Sequence, residues 1–266
     1  MSDHFTVLLR NPLALIFLAM LFIPLERIWT LRKEKIFRPG WQTDVLHFFA
    51  THVLQQLALV IGVGLAVGLV DPFVSKSLQS AVASQHALVQ FVEAILIVEV
   101  IGYWMHRAFH TFPALWRIHA VHHSSEHLDW LASLRVHPLD QTITRSVQFV
   151  PLYLLGFSQA TFGGLVLFIG LWAVFLHANV RLRFGFLEHV VATPHFHHWH
   201  HAGDAQVNFS GLFPWVDRLF GTRSTAREWP AGYGCDAQVP KGWWKQITWP
   251  MARSRSVPEP TRSSAN

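Results

Sequence analysis

Cysteine is almost missing from this chain: Cys235 is the only one in 266 residues. That excludes an internal disulfide, removes thiolate as a major metal ligand, and leaves no iron–sulfur cysteines or haem-attachment motif. Charge is scarce as well. Only 14% of residues are charged, against about 25% in an average soluble domain. The chain is 51% hydrophobic with a mean hydropathy of +0.28, which points to a lipid environment. No Gly-x-Gly-x-x-Gly turn, internal repeat or second domain is present, so no dinucleotide-binding half is expected. The net charge of +5 does not argue for nucleic acid, because the basic residues flank apolar runs and form no stripe.

What the chain does have is aromatic and apolar: 12 tryptophans and 21 phenylalanines, residue types that gather at membrane interfaces. A first apolar run, Leu13–Leu25, is interrupted by Pro24 and followed by Arg27, Arg32, Lys33, Lys35 and Arg38. The positive-inside rule makes that loop cytoplasmic and the N-terminus external. The run has no basic n-region or small-residue cleavage site, so it reads as an anchor. A second span covers Val45–Val70, and a third runs from about Leu88 to Tyr103 and returns to the cytoplasm. The fourth apolar stretch, Val147–Leu176, lies between histidine clusters that must meet on one side of the bilayer. It must then turn back, with Gly156-Phe157-Ser158 or Gly163-Gly164 as turn points. Each half looks too short for an ordinary span of about 20 residues. The expectation is an all-α integral membrane bundle of about four membrane helical elements under a cytoplasmic histidine-rich helical cap. Residues 1–100 form the anchor helices, 101–222 the catalytic region with its hairpin, and 223–266 a cytoplasmic tail, partly disordered. The tail ends in a Ser/Pro-rich segment with Arg253, Arg255 and Arg262.

Three histidine clusters carry the chemistry: His106-x3-His110, His119-x2-His122-His123 and His197-x2-His200-His201. Positions i, i+3 and i+4 share a helix face, so each cluster throws two or three imidazoles toward one point. Eight rings are too many for one tetrahedral zinc and suit a pair of metal ions. Single histidines at His137 and His177 are candidates to complete the two sites, His177 the stronger. Glu99 shares the arc of Tyr103, His106 and His110. It either accepts a hydrogen bond from a ligand imidazole or bonds, neutral, to another helix, and the sequence leaves both open. Thr193-Pro194 reads as a helix start and Gly203 as a stop. On that helix His195 points away and His198 sits at the edge, both as bystanders, and His127 falls outside the site. The stripe Asp44, His47, Thr51 and Gln55 is read as hydrogen bonding between helices.

From Tyr103 to Thr222 the chain resembles the fatty acid hydroxylase/sterol desaturase superfamily. The resemblance rests on Tyr103-Trp104-Met105-His106-Arg107-x2-His110, Leu115-Trp116-Arg117-x-His119-x2-His122-His123-Ser124, and Arg135-x-His137-Pro138-Leu139-Asp140. It continues through Thr193-Pro194-x-Phe196-His197-x2-His200-His201, Asn208 and Trp215-Val216-Asp217-Arg218-Leu219-Phe220-Gly221-Thr222. It implies an integral membrane, non-haem di-iron enzyme that hydroxylates or desaturates a lipid with O2. The eight clustered histidines carry over as iron ligands, His137 and His177 fall where that family has further histidines, and Glu99 and Asn208 are expected around the ligands. A histidine next to the last cluster departs from the usual family pattern. Two iron ions, O2 and an external ferredoxin- or cytochrome-type electron donor are implied, with Arg32 to Arg38 and the tail arginines as a docking surface for it. Imidazole alone also suits zinc, copper and nickel. A membrane metal transporter, a di-zinc hydrolase and a non-catalytic relative are the competing readings. Fatty acyl, sterol-like, isoprenoid and ether lipids all remain candidate substrates.

Overall fold

The structure is a computed structural model that describes residues 2–252, with the side chains at 2–9, 55–59, 62–63 and 66–67 outside the description. Among the described residues it is helical, with two isolated bridges and no β-strand. Helix α1 is Ser2–Ile28 and α2 is Trp41–Val70. The first helix runs through Pro24 and is not broken there. The short α3, Lys76–Ala83, is capped by the Ser75 hydroxyl. Next comes α4, Ala87–Thr111, about 37 Å long at 1.5 Å per residue. Three helical segments among the described residues are long and apolar enough to cross a membrane: Arg10–Ile28, α4 and Gln159–His177.

Proline sets the first essential bend. Pro113 opens α5, Pro113–His123, directly after α4 ends. A residue before proline is driven out of the helical region, and Phe112 is accordingly extended at φ −95°, ψ 120°. The chain therefore folds back, and the second histidine cluster lies against the first.

Glycine sets the second. Helix α6, Pro138–Leu155, ends at Gly156, which is left-handed at φ +88°. Ser158 then caps α7, Gln159–His177, by accepting from the Thr161 amide. This is the expected hairpin, turning at 156–158, while Gly163 and Gly164 lie inside α7. The expectation that each half is too short needs correction: α7 alone is 19 residues and long enough to span. Its partner gains length by starting at Pro138, upstream of the apolar run. Gln79 and Gln90 hold the turn, donating to the Leu154 carbonyl and accepting from Ser158 N. The two helices meet close to the turn through Phe149 and Phe162, ring centroids 6.1 Å apart. Both ends of the hairpin return to the histidines.

The remaining helices are α8, Pro194–His200, α9, Pro214–Leu219, and α10, Trp243–Thr248. Residues 223–252 follow α9 and pack back on the bundle. They meet the histidine layer through Glu228, Tyr233, Gln246, Ile247 and Trp249. Arg253, Arg255 and Arg262 lie outside the described residues. The polar stripe of α2 bonds neighbouring elements: Asp44 to Arg135 at 2.5 Å, His47 to Gln246 at 2.9 Å and Thr51 to the Val136 carbonyl at 2.8 Å. The Gln55 side chain lies outside the description.

Candidate metal centre

Two groups of imidazoles come together where α4, α5, α7 and α8 converge. His106, His110, His119, His123 and His200 form one; His122, His177, His197 and His201 form the other, each with its ligand atoms within 4.8 Å of one another. The groups adjoin through the stacked rings of His123 and His201, centroids 4.3 Å apart. Nine of the ten histidines anticipated as ligands are thus in two places. His137 is not. It caps α6 by accepting from Leu139 N, and its Nε2–H donates to the Ile247 carbonyl at 3.0 Å. With both ring nitrogens engaged it holds the start of α6 and lies outside both groups.

The local sequence explains the aim of each ring. Thr193 caps α8 by accepting from Phe196 N, and Pro194 occupies the first helical position. This points His197, His200 and His201 inward and leaves His195 to donate to the Glu228 carbonyl. His198 lies between the Tyr233 hydroxyl, 2.7 Å away, and the Ala178 carbonyl, 3.1 Å away. His127 pairs with Glu34 at 2.9 Å, also outside the centre.

Five rings have a fixed tautomer. The Nδ1–H groups of His106, His122, His177 and His200 donate to the carbonyls of Phe209, Arg135, Ala173 and Val207, at 2.7, 3.0, 2.7 and 2.9 Å. His119 Nδ1–H donates to Asp140 Oδ2 at 2.6 Å. A carbonyl can only accept, so these rings carry their proton on Nδ1 and expose a lone pair on Nε2. Yet Nε2 of His106 faces Nε2 of His119 at 3.1 Å, and Nε2 of His122 faces that of His177 at 3.0 Å. Two lone pairs at that distance repel unless a cation lies beside both. Burial, reinforced by neighbouring imidazoles, holds His122 well below the usual imidazole value, so a proton on that ring does not resolve its conflict with His177. Nitrogens about 3 Å apart suit adjacent ligands held at about 2.1 Å from one ion. In addition His110 Nδ1 and Nε2, His123 Nδ1, His197 Nδ1 and His200 Nε2 are buried without a hydrogen-bond partner. The donor set fits two metal ions.

The supporting residues differ from those anticipated. Glu99 touches no imidazole; Oε1 accepts from Leu212 N and Phe213 N at 3.0 and 2.9 Å and so fixes the loop before α9. The Asn208 side chain also misses the rings, linking the Phe196 carbonyl to Ser224 N, each at 2.8 Å. Its backbone is what matters. At φ +58° Asn208 places the carbonyls on either side of it, Val207 and Phe209, against His200 and His106. Asparagine tolerates that left-handed conformation better than most residues. Asp217 holds the next stretch by accepting from Phe209 N and Ser210 N. Asp140, which the sequence motif contains without assigning it a role, stands three residues after His137 in the first turn of α6 and supports His119.

Beneath the histidines is a cavity of ≈ 200 Å³ between α4, α6 and α7. His106, His119, His122, His177 and His197 reach it from both groups. Arg38 is taken up by its own fold: 1% exposed, it makes a bidentate pair with Asp129 at 2.9 and 2.6 Å. Arg32 bonds the Pro230 and Ala231 carbonyls and covers the Tyr233 ring. These two arginines are therefore committed internally, which weakens the expected docking surface at Arg32 to Arg38.

Comparison with known proteins identifies the family. The fatty acid hydroxylase family model matches residues 91–222. An ornithine lipid hydroxylase of Rhizobium tropici is 31% identical over 265 residues, covering 94% of this chain and 76% of that protein. An alkylglycerol monooxygenase of Danio rerio is 33% identical over 132 residues, 48% of this chain and 29% of that one. A very-long-chain aldehyde decarbonylase of Arabidopsis thaliana is 28% identical over 137 residues, 47% and 22% of the two chains. No solved structure matches. The near full-length likeness, the family match across the histidines and the three membrane-length helices make one conclusion: this chain is an integral membrane protein of the fatty acid hydroxylase family.

Proposed function

We propose that this protein is an O2-dependent lipid hydroxylase whose two histidine groups each hold an iron ion. The observation that carries the reading is the pair of facing Nε2 lone pairs, His106 with His119 and His122 with His177, beside a cavity wide enough for part of an amphiphile. Iron bound there would supply reduction of O2 and hydrogen abstraction from an unactivated C–H bond. Overall, C–H, O2, two electrons and two protons become C–OH and water. The electrons come from a separate ferredoxin- or cytochrome-type donor.

The residues on the page do the rest. Backbone carbonyls and Asp140 keep the rings in one tautomer, and the apolar wall of Ile169, Trp172, Ala173 and Leu176 keeps water from the reacting chain. Hydroxylation is favoured over desaturation because the relative matched along nearly the whole chain is named a lipid hydroxylase. The nine imidazoles include no carboxylate, whereas a di-zinc hydrolase normally bridges its ions with one.

Orientation follows from the hairpin and the basic loop. Leu31 N donates to the Asn179 carbonyl at 3.1 Å and Arg181 N to that of Trp29 at 2.6 Å, so loop 29–40 lies on the histidine side. The positive-inside rule supports a cytoplasmic centre. Lipid mass spectrometry of cells with and without the protein tests the activity. A lipid gaining one oxygen, lost with His122→Ala and His200→Ala, is the expected result, with about two irons per chain in purified protein. A product that survives both substitutions refutes the assignment.

A further inference from the structure

The cavity beneath the histidines carries a cation, Arg145, that makes no direct ion pair among the described residues. Asp140, Gln141, Thr144, Arg145 and Gln148 of α6 all line it, and at 100° per residue they occupy an arc of about 140° on one helix face. Polar groups on a helix inside a membrane bundle are costly and usually functional. Arg145 donates from Nε to Gln141 Oε1 and from Nη1 to Gln148 Oε1, each at 3.2 Å. A guanidinium has five N–H donors, so three remain without a protein acceptor. Among the described residues no carboxylate forms an ion pair with it: Asp140 is committed to His119, and Glu99 to the 212–213 amides. The two glutamines orient the guanidinium without neutralising it.

Trp172, on α7, also lines the space and adds to its apolar wall. The glutamine acceptors that face the space are already used: Gln141 and Gln148 take Arg145, while Gln148 Nε2 is tied to the Val98 carbonyl. Apart from the imidazole lone pairs aimed at the metal positions, the acceptors nearest Arg145 are engaged, and apolar walls stand beside the guanidinium. Arg145 lies five residues beyond Asp140, about 7.5 Å further along α6. An anion there would sit close to the centre that Asp140 supports.

Resting on the hydroxylase reading, we propose that the substrate is an amphiphile with an anionic oxygen group, carboxylate or phosphate, bound by Arg145. Charge-assisted bonds of this kind select strongly, because a neutral head offers the guanidinium no charged partner.

Binding tests this without turnover. Protein in nanodiscs is titrated with dodecanoate, dodecyl phosphate and dodecanol, read by native mass spectrometry. At least one anion should bind tenfold or more tighter than the alcohol, and which of the two wins identifies carboxylate or phosphate. Arg145→Gln should abolish that preference and leave dodecanol binding unchanged, while Arg145→Lys should restore part of it. Equal binding of all three probes by the native protein overturns the proposal, as does a preference that survives Arg145→Gln. Metal content of each variant reports a folded centre. Lipid oxidation without anion preference would sink this inference and leave the hydroxylase reading standing; anion preference without any oxidised lipid would do the reverse.

Discussion

Replacing Asp140 by alanine should empty one histidine group and spare the other. Asp140 Oδ2 lies 2.6 Å from His119 Nδ1, and both side chains are only 7% exposed. Without it His119 has no nearby acceptor, so its ring is free to turn and its proton to move to Nε2, where it would block coordination. Loss of such an outer partner costs about 10- to 100-fold in metal affinity, or about 1.4–2.7 kcal/mol. Only the five-histidine group contains His119; the rings of the other are held by Arg135, Ala173 and neighbouring histidines. Under a chelator that leaves the native protein loaded, Asp140→Ala should fall from about two irons per chain to about one. Asp140→Asn retains an acceptor oxygen and should lose less than the alanine variant. Elemental analysis across a chelator series reads the result. Equal retention in native and alanine proteins would refute the role given to Asp140, and loss of both ions together would refute the independence of the two groups.

Other outcomes follow from the same structure. A Cβ at Gly156 would lie 2.7 Å from the Gln79 carbonyl oxygen in a left-handed residue. Gly156→Ala should therefore cost about 2–3 kcal/mol and lower Tm by several degrees, while Gly163→Ala, with open space around it, should not. The metal-free protein should be acid-labile. His122, His123, His197, His198, His200 and His201 are held neutral by burial, His198 down to about 3. Unfolding lets each take a proton below about 6.5, so stability present above that pH is lost as pH falls, by about 1.4 kcal/mol per pH unit for every ring involved. A Tm that stays flat from pH 7.5 to 5.5 after chelation would contradict this. Burial also pushes the Cys235 thiol up to about 12, leaving roughly one part in 10⁴ as thiolate at pH 8. That quiet background permits maleimide mapping: Ser77→Cys should label in intact cells and Lys241→Cys only after permeabilisation. The reverse pattern would put the centre on the external side.

Much of the site was legible because its determinants are local. The i, i+3, i+4 spacing at 119–123 and 197–201 needs only helical geometry, and Thr193-Pro194 announces the α8 start by its own chemistry. The hairpin was legible for a different reason: ligands at both ends of an apolar stretch demand an even number of crossings. What escaped depends on distant partners. His137 and His177 look alike in sequence, each alone at an apolar boundary. The difference is that the Ile247 carbonyl, 110 residues away, claims one ring, while His122 and His197 face the other. Arg38 looked like part of a basic surface and is buried instead, because Asp129 and Asp44 reach it from elsewhere in the chain.

The distribution of support around the rings explains why irregular segments, more than helices, decide this centre. A helix can aim an imidazole, but its own carbonyls are consumed by i to i+4 bonds, so only a few remain to fix the outer nitrogen. His177 manages with the Ala173 carbonyl one turn back. His106, His122 and His200 instead use carbonyls from loop residues Phe209, Arg135 and Val207. Loop carbonyls are free to accept but need holding in place. Asn208, Asp217 and Glu99 do that for the 207–213 stretch, and Asp44 does it for Arg135. Rigid placement of a buried loop requires that its amides be satisfied as completely as those of a helix. A substitution at Asp217 should therefore disturb His106 without touching any of the nine clustered histidines, because Phe209 is bonded to Asp217 through its N–H and to His106 through its carbonyl.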